Sequence, residues 1–188
     1  MAERRLVVGV SGASGAPLAM ALLHRLKNRP DVQIHLVLTR GGELTLRQEC
    51  GMETEELAAW ADVVYDNSDL GAPVASGSFR TLGMVVIPCS MKTAAGIATG
   101  YSDNLLLRAA DVCLKERRKL VLVARESPLS TLHLRNLCTL SELGAVVFPP
   151  VPAYYRHPQT MEDCTAYTVS RILDHFDLGE EKYEWNGL

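Results

Sequence analysis

"VVGVSGASGAPLAMALLHRL", Val7 to Leu26, is the stretch on which the fold turns. A β-branched apolar run breaks into glycines and serines, and apolar residues at helical spacing follow. A strand that passes into a helix through such a loop is the building unit of a parallel α/β sheet. The glycines fall at Gly9, Gly12 and Gly15, a spacing that matches neither the dinucleotide fingerprint nor the P-loop. Pro17 suits a first helical turn because it has no amide hydrogen to leave unpaired. Asn28 and Pro30 then close the helix.

The same alternation continues along the chain. "RLVVGV" (5–10), "VQIHLVLT" (32–39), "GMVVIP" (83–88), "KLVLVA" (119–124) and "GAVVFP" (144–149) read as strands. Several are apolar throughout, as strands covered on both faces are. Helical spacing predicts helices over Pro17–Asn28, Glu43–Ala61, Thr93–Glu116, Thr131–Leu143 and Thr160–Phe176. The expectation is a doubly wound parallel α/β sheet in one domain spanning 1–188. An acidic tail, "DLGEEKYEWNGL" (177–188), ends it, and Trp185 in that tail is large for a linker.

Composition narrows the function. The 188 residues are 47% hydrophobic and 22% charged, with 19 basic against 22 acidic side chains and a net charge of −3. Nothing here suits bulk binding of nucleic acid or a membrane surface. No apolar run approaches the roughly 20 residues of a membrane span, and the short apolar run after "MAERR" is not a signal peptide. Five scattered cysteines without a C-x-x-C pair fit reduced thiols in the cytoplasm better than disulfides or zinc. No H-E-x-x-H and no Asp-rich cluster suggests a bound metal.

In such sheets, ligands bind beyond the carboxyl ends of the strands, where strand order reverses. The candidate loops are therefore "SGASG", Thr39-Arg40-Gly41-Gly42, Cys89 to Thr93, Arg125-Glu126 and "PPVPAYYRHP". The first opens a helix, so its amides suit an anion or a carbonyl-rich ring, with Ser11 and Ser14 as further donors. A tight turn with an N-cap serine accounts for it equally well. Ser90, Lys92 and Thr93 offer a second donor-rich loop, and two such loops side by side suit a mononucleotide such as FMN. A dinucleotide fits less well, because no acidic residue ends the second strand. Arg108, Asp111 and Lys115 share one helical face, on which Asp111 can pair Lys115; a solvated ion-paired face explains them too. Arg125-Glu126 directly ends an apolar strand, where charges are costly unless partnered or functional. They read either as a rim ion pair or as a proton-shuttling carboxylate beside a cation. Tyr155 and Arg171 complete an anion pocket if the last loop and helix fold back.

These segments together resemble the UbiX-like flavin prenyltransferases, which include the Pad-type companions of aromatic acid decarboxylases. The resemblance runs in order through "VVGVSGASGA", "ASGSFRTLGMVVIPCSMKT", "RAADVCLKERRKLVLVARESPLS", "PPVPAYYRHPQ" and the terminal W-x-G-L. It implies a flavodoxin-like Rossmann sandwich that binds FMN and assembles into a homo-oligomer, commonly a dodecamer. It implies transfer of a dimethylallyl group, from dimethylallyl monophosphate and without metal, to N5 and C6 of reduced FMN. The product is prenylated FMN, the cofactor of a UbiD-type decarboxylase. By the same resemblance, Gly12, Ala13, Ser14, Thr39, Ser90, Met91, Lys92, Thr93 and Arg125 look like the flavin-binding set. Lys115, Tyr155 and Arg171 look like the grip on the donor phosphate, with Arg125 and Glu126 beside them. Ser14, Glu49, Glu126 and Lys115 are the catalytic candidates, and Trp185 helps close the site or a neighbour's. Thr39-Arg40 stands where relatives often carry Ser-Lys, which keeps the hydroxyl. The rival readings are an FMN-dependent cysteine decarboxylase of related fold, a direct aromatic acid decarboxylase, and a flavodoxin-like electron carrier.

Overall fold

A computed structural model describes residues 4–179 and 187. Trp185 and most of the tail expected to close the site lie outside the described residues.

β1 (Arg4–Val10) leads into α1 (Ala16–Leu26), and β2 (Val32–Leu38) into α2 (Arg40–Cys50), α3 (Thr54–Ala58) and β3 (Val63–Tyr65). β4 (Gly83–Cys89) is followed by α4 (Met91–Ala98) and α5 (Leu105–Lys115). β5 (Lys119–Ala124), α6 (Thr131–Glu142), β6 (Val146–Val147) and α7 (Met161–Asp174) complete the chain. The described strands form one parallel sheet in the order β3-β2-β1-β4-β5-β6. Strand order runs outward from β1 in one direction and resumes at β4 in the other. The reversal therefore lies between β1 and β4, where the two donor-rich loops were expected to meet.

Alternation along the strands divides the core into two layers. Leu6, Val8, Ile34, Leu36, Val85 and Val121 face α1 and α7, whose Leu22, Leu26, Val169 and Ile172 are buried against them. Val7, Val37, Met84, Val86, Leu120 and Leu122 face the other way, toward Leu106, Ala110 and Cys113 of α5. Each fully buried leucine removes roughly 1.5–3 kcal/mol worth of apolar surface from water.

Three expectations are corrected. The predicted helix over Glu43–Ala61 starts earlier, at Arg40, and is interrupted by Gly51, whose φ of 60° ends α2 in the left-handed region. A Glu53–Glu56 capping box then starts α3. The predicted helix over Thr93–Glu116 is two helices, parted by Gly100 at φ 69° and restarted by the Asn104 side chain, which accepts from the Leu107 amide. The last expected strand shrinks to Val146–Val147, and a short edge strand, β3, joins the sheet unforeseen.

Candidate active site

The site is built where β1, β2 and β4 end. Ser11 is fully buried, and its hydroxyl donates to the Pro88 carbonyl at 2.9 Å while accepting from the Ser90 amide at 2.8 Å. It fastens the β1 and β4 loops together and is engaged within the protein, so the expected Ser11 donor to a ligand is corrected. Beside it, the loops after β1 and β2 touch backbone to backbone. A Cβ on Gly12 would lie 2.9 Å from Gly41 Cα, and one on Gly42 would lie 2.6 Å from the Val10 carbonyl oxygen. Only glycine lets the start of α2 come this close to β1.

Thr39 caps α2, its hydroxyl accepting from the Gly42 amide at 3.1 Å. Arg40 to Gly42 are thus the first turn of a helix rather than a loop. Ser90 does the same for α4, accepting from the Thr93 amide at 3.2 Å and donating to the Thr93 hydroxyl at 3.0 Å. Met91 and Thr93 are buried beneath this helix start, whereas Lys92 is exposed.

The start of α1 is different, because it already holds an anion. Glu49 Oε2 reaches back from the end of α2 and accepts from the Gly15 amide at 2.9 Å and the Ala16 amide at 2.8 Å. Burial raises the Glu49 carboxyl pKa, but the Ser14 hydroxyl, the two amides and the Arg125 charge outweigh it and hold the group below its usual range. Glu49, Ser14 and Arg125 are therefore brought together across 112 positions of chain, from 14 to 125. Arg125 is placed by its own amide, which donates to the Cys89 carbonyl at 3.2 Å. Next to it, the exposed Glu126 carboxylate accepts from the Ser127 amide at 3.0 Å.

The other expected residues lie elsewhere in the subunit. α5 starts beside Asn67, whose oxygens accept from the Leu105 and Leu106 amides beyond the carboxyl end of β3. It therefore runs down to the amino end of β5, and Lys115 stands at the edge of the sheet opposite the cleft. There Lys115 pairs with Glu116 at 2.5 Å, while Asp111 pairs with Arg108 at 2.6 Å, so the expected Asp111–Lys115 pair is corrected. Arg108 is the nearer cation, three residues back on the same face, and it also donates to the Ala75 carbonyl. Tyr155 sits on a 3-10 turn, Tyr154–Arg156, that packs on α7, where Arg171 pairs with Asp174 at 2.5 Å. Its hydroxyl meets that of Tyr167 at 2.6 Å. Tyr167 escaped the sequence reading; its spacing of four residues from Arg171 on a helix was the available signal.

A flavin mononucleotide fits what is present. The starts of α2 and α4 are both capped by neutral hydroxyls, but α2 carries Glu43 in its first turn whereas α4 carries no acid there, so the α4 start is the one better suited to a phosphate. The start of α1 differs from both, because its Gly15 and Ala16 amides are already taken by Glu49. Burial pushes the Cys89 and Cys113 thiols up to about 12, which leaves neither as a nucleophile, although Arg118 opposes the shift at Cys113. Among the described residues, no three histidine, cysteine or carboxylate side chains gather as metal ligands, and no helix is long and apolar enough to cross a membrane.

The chain matches the family described as Flavoprotein over residues 1–175. It is 54% identical to a probable UbiX-like flavin prenyltransferase of Streptomyces sp. (strain D7), over 98% of this chain and 92% of that protein. Among solved structures it superposes on AnUbiX, determined in complex with FMN and dimethylallyl pyrophosphate, with a TM-score of 0.95 and 49% identity over 99% of both chains. A dodecameric FMN-dependent UbiX-like decarboxylase from Escherichia coli O157:H7 gives 0.94 and 50%, covering 97% of this chain and all of that one. Near-half identity from end to end, over a fold of the same shape, leaves one assignment: the chain belongs to the UbiX-like flavin prenyltransferases of the flavoprotein family.

Proposed function

We propose that this chain, as a single flavin-binding domain in the cytoplasm, transfers a dimethylallyl group from dimethylallyl monophosphate to N5 and C6 of reduced FMN. The observation that carries the proposal is the Glu49 carboxylate locked onto the start of α1 beside Ser14 and Arg125, at the reversal of strand order. The allylic C–O bond breaks and phosphate leaves with the bonding pair as N5 bonds to the allylic carbon and gives up its proton. The alkene π bond then takes up a proton and its tertiary carbon joins C6, which loses its own proton, so that the flavin gains C5H8 in all. Fixed cations stabilise the charge growing on the phosphate, and a cleft poor in water strengthens that effect. Holding acceptor and allylic carbon together removes much of the entropic barrier.

The flavin supplies the nucleophile; the chain supplies position and charge. Glu49, kept ionised, orients Ser14 and the α1 start rather than lending a proton. Glu126, exposed at the strand end, is the proton relay. Arg125, Lys115, Tyr155 and Arg171 grip the donor phosphate. Lys115, Tyr155 and Arg171 stand away from the cleft of their own subunit, so they serve the site of another copy, which suits a homo-oligomer, a dodecamer as in the Escherichia coli relative. The product, prenylated FMN, passes to a UbiD-type aromatic acid decarboxylase.

The test is anaerobic incubation with reduced FMN and dimethylallyl monophosphate, followed by mass spectrometry of the extracted flavin. Protein-dependent gain of one C5H8 unit is expected, and Glu126→Gln should slow it while leaving FMN bound. A bound flavin recovered unchanged would overturn the proposal and bring back the cysteine decarboxylase or the electron carrier. Release of CO2 from hydroxybenzoate by the pure chain would instead support direct decarboxylation.

A further inference from the structure

We propose that Tyr167 is a positioning residue that holds the Tyr155 hydroxyl in register with Arg171; this rests on the reading of Tyr155 and Arg171 as part of the phosphate grip. The Tyr155 side chain needs such a support. It projects from a three-residue turn between an irregular Ala153 and a left-handed His157, and 55% of its surface is exposed. Two backbone hydrogen bonds, Arg156 to Ala153 and His157 to Tyr154, close that turn.

Tyr167, by contrast, belongs to a fixed element. It lies on α7, whose Thr168, Val169, Ile172 and Leu173 are buried. Both residues of the turn that face it are engaged. The Tyr155 and Tyr167 hydroxyls meet at 2.6 Å, with their rings edge to face at 87°. The Arg156 guanidinium lies 5.7 Å from the centre of the Tyr167 ring. Arg171 follows four residues later, one turn along the same helical face. Tyr167 thus links the Tyr155 hydroxyl to the helix face that carries Arg171.

The pairing also fixes the direction of the hydrogen bonds. An ionised phosphate oxygen accepts, so Tyr155 donates to it. Tyr167 then donates to Tyr155, and a hydroxyl that accepts one hydrogen bond donates a second more strongly.

Single and double variants, Tyr155→Phe, Tyr167→Phe and both, test this by the KM for dimethylallyl monophosphate, kcat, and binding of inorganic phosphate by calorimetry. Tyr155→Phe should raise the donor KM about tenfold. Tyr167→Phe should raise it about three- to fivefold and weaken phosphate binding in parallel, with kcat within about twofold. The double variant should match Tyr155→Phe alone, because the second phenol acts through the first. Melting temperature should move by less than about 2 °C in each. A normal donor KM in Tyr167→Phe, or effects that multiply in the double variant, would overturn the inference and leave the grip standing. A normal KM in an active Tyr155→Phe would remove the grip and the inference together.

Discussion

The two edges of the sheet are both rich in charge, yet they use it in opposite ways. At the amino edge, arginines tie the chain to itself. Arg4 donates to the Phe176 and Asp177 carbonyls, Arg29 to the Leu178 carbonyl at 3.0 Å, and Arg118 to the Phe79 carbonyl at 2.7 Å and to that of Gly77. Arg4 and Arg29 also converge on Asp31. At the carboxyl edge, the protein instead gathers helix starts, hydroxyls and one strand-end arginine around an anion of its own, Glu49. Charge density does not separate a site from a scaffold. What separates them is whether donors end on backbone carbonyls of the same chain or are left at helix starts facing a cleft.

Four changes can break or sharpen that contrast. The largest effect is expected from Gly42→Ala, whose new methyl group would press on the Val10 carbonyl oxygen at 2.6 Å. Overpacking of this kind costs about 1–3 kcal/mol, and it should remove both stability in urea and retention of FMN on a desalting column. Arg118→Ala should lose about 1–2 kcal/mol by leaving half-buried carbonyls without their donor, but FMN retention should stay as in the unaltered chain. A variant that unloaded flavin without losing stability would erase the distinction between the edges. Ser90→Ala removes the cap of α4 and should cost about 1 kcal/mol in chemical denaturation, with FMN affinity falling too if that helix start holds the phosphate.

The smallest effect concerns pH. The Glu49 carboxyl lies below its ordinary value of 4.5 in the folded chain, so it binds protons more readily once unfolded. Its contribution is therefore present above about 4.5 and disappears as pH falls through the lower folded value. Glu49 is largely exposed, so solvent screening keeps the contribution under about 1 kcal/mol. The difference in urea midpoint between the unaltered chain and Glu49→Gln should shrink between pH 6 and pH 3. A constant difference would mean that shape, not charge, holds the α1 start.

The sheet was legible because its central strands are continuous apolar runs, and "VVGVSGASGA" carries both the strand end and the helix start within a few residues. β3 was not legible, since three residues, Val63 to Tyr65, are too few to show a period. The merged helices were avoidable. Gly51 before Glu53-x-x-Glu56, and Gly100 before Asn104, are local stop and start signals that the longer apolar periodicity masked. Within the site, Thr39 and Ser90 were read as loop donors to a ligand; that each caps a helix could have been taken from a hydroxyl standing just before a helical run. Glu49 entered only through family resemblance, because nothing around "RQECG" says that its carboxylate meets amides 33 and 34 residues earlier in the chain. Ser11 was misassigned for the same reason: its partners, Pro88 and Ser90, lie at and just past the end of another strand.

The contact between Gly12 and Gly41 reaches beyond the folded molecule to the histories open to it. A side chain at either position would meet the other's backbone within about 3 Å, 2.9 Å from one side and 3.0 Å from the other. Neither position can drift by itself. The floor of the cleft is written twice, in two places 29 residues apart, and a lineage that altered one copy would have to move a strand before it could keep the other.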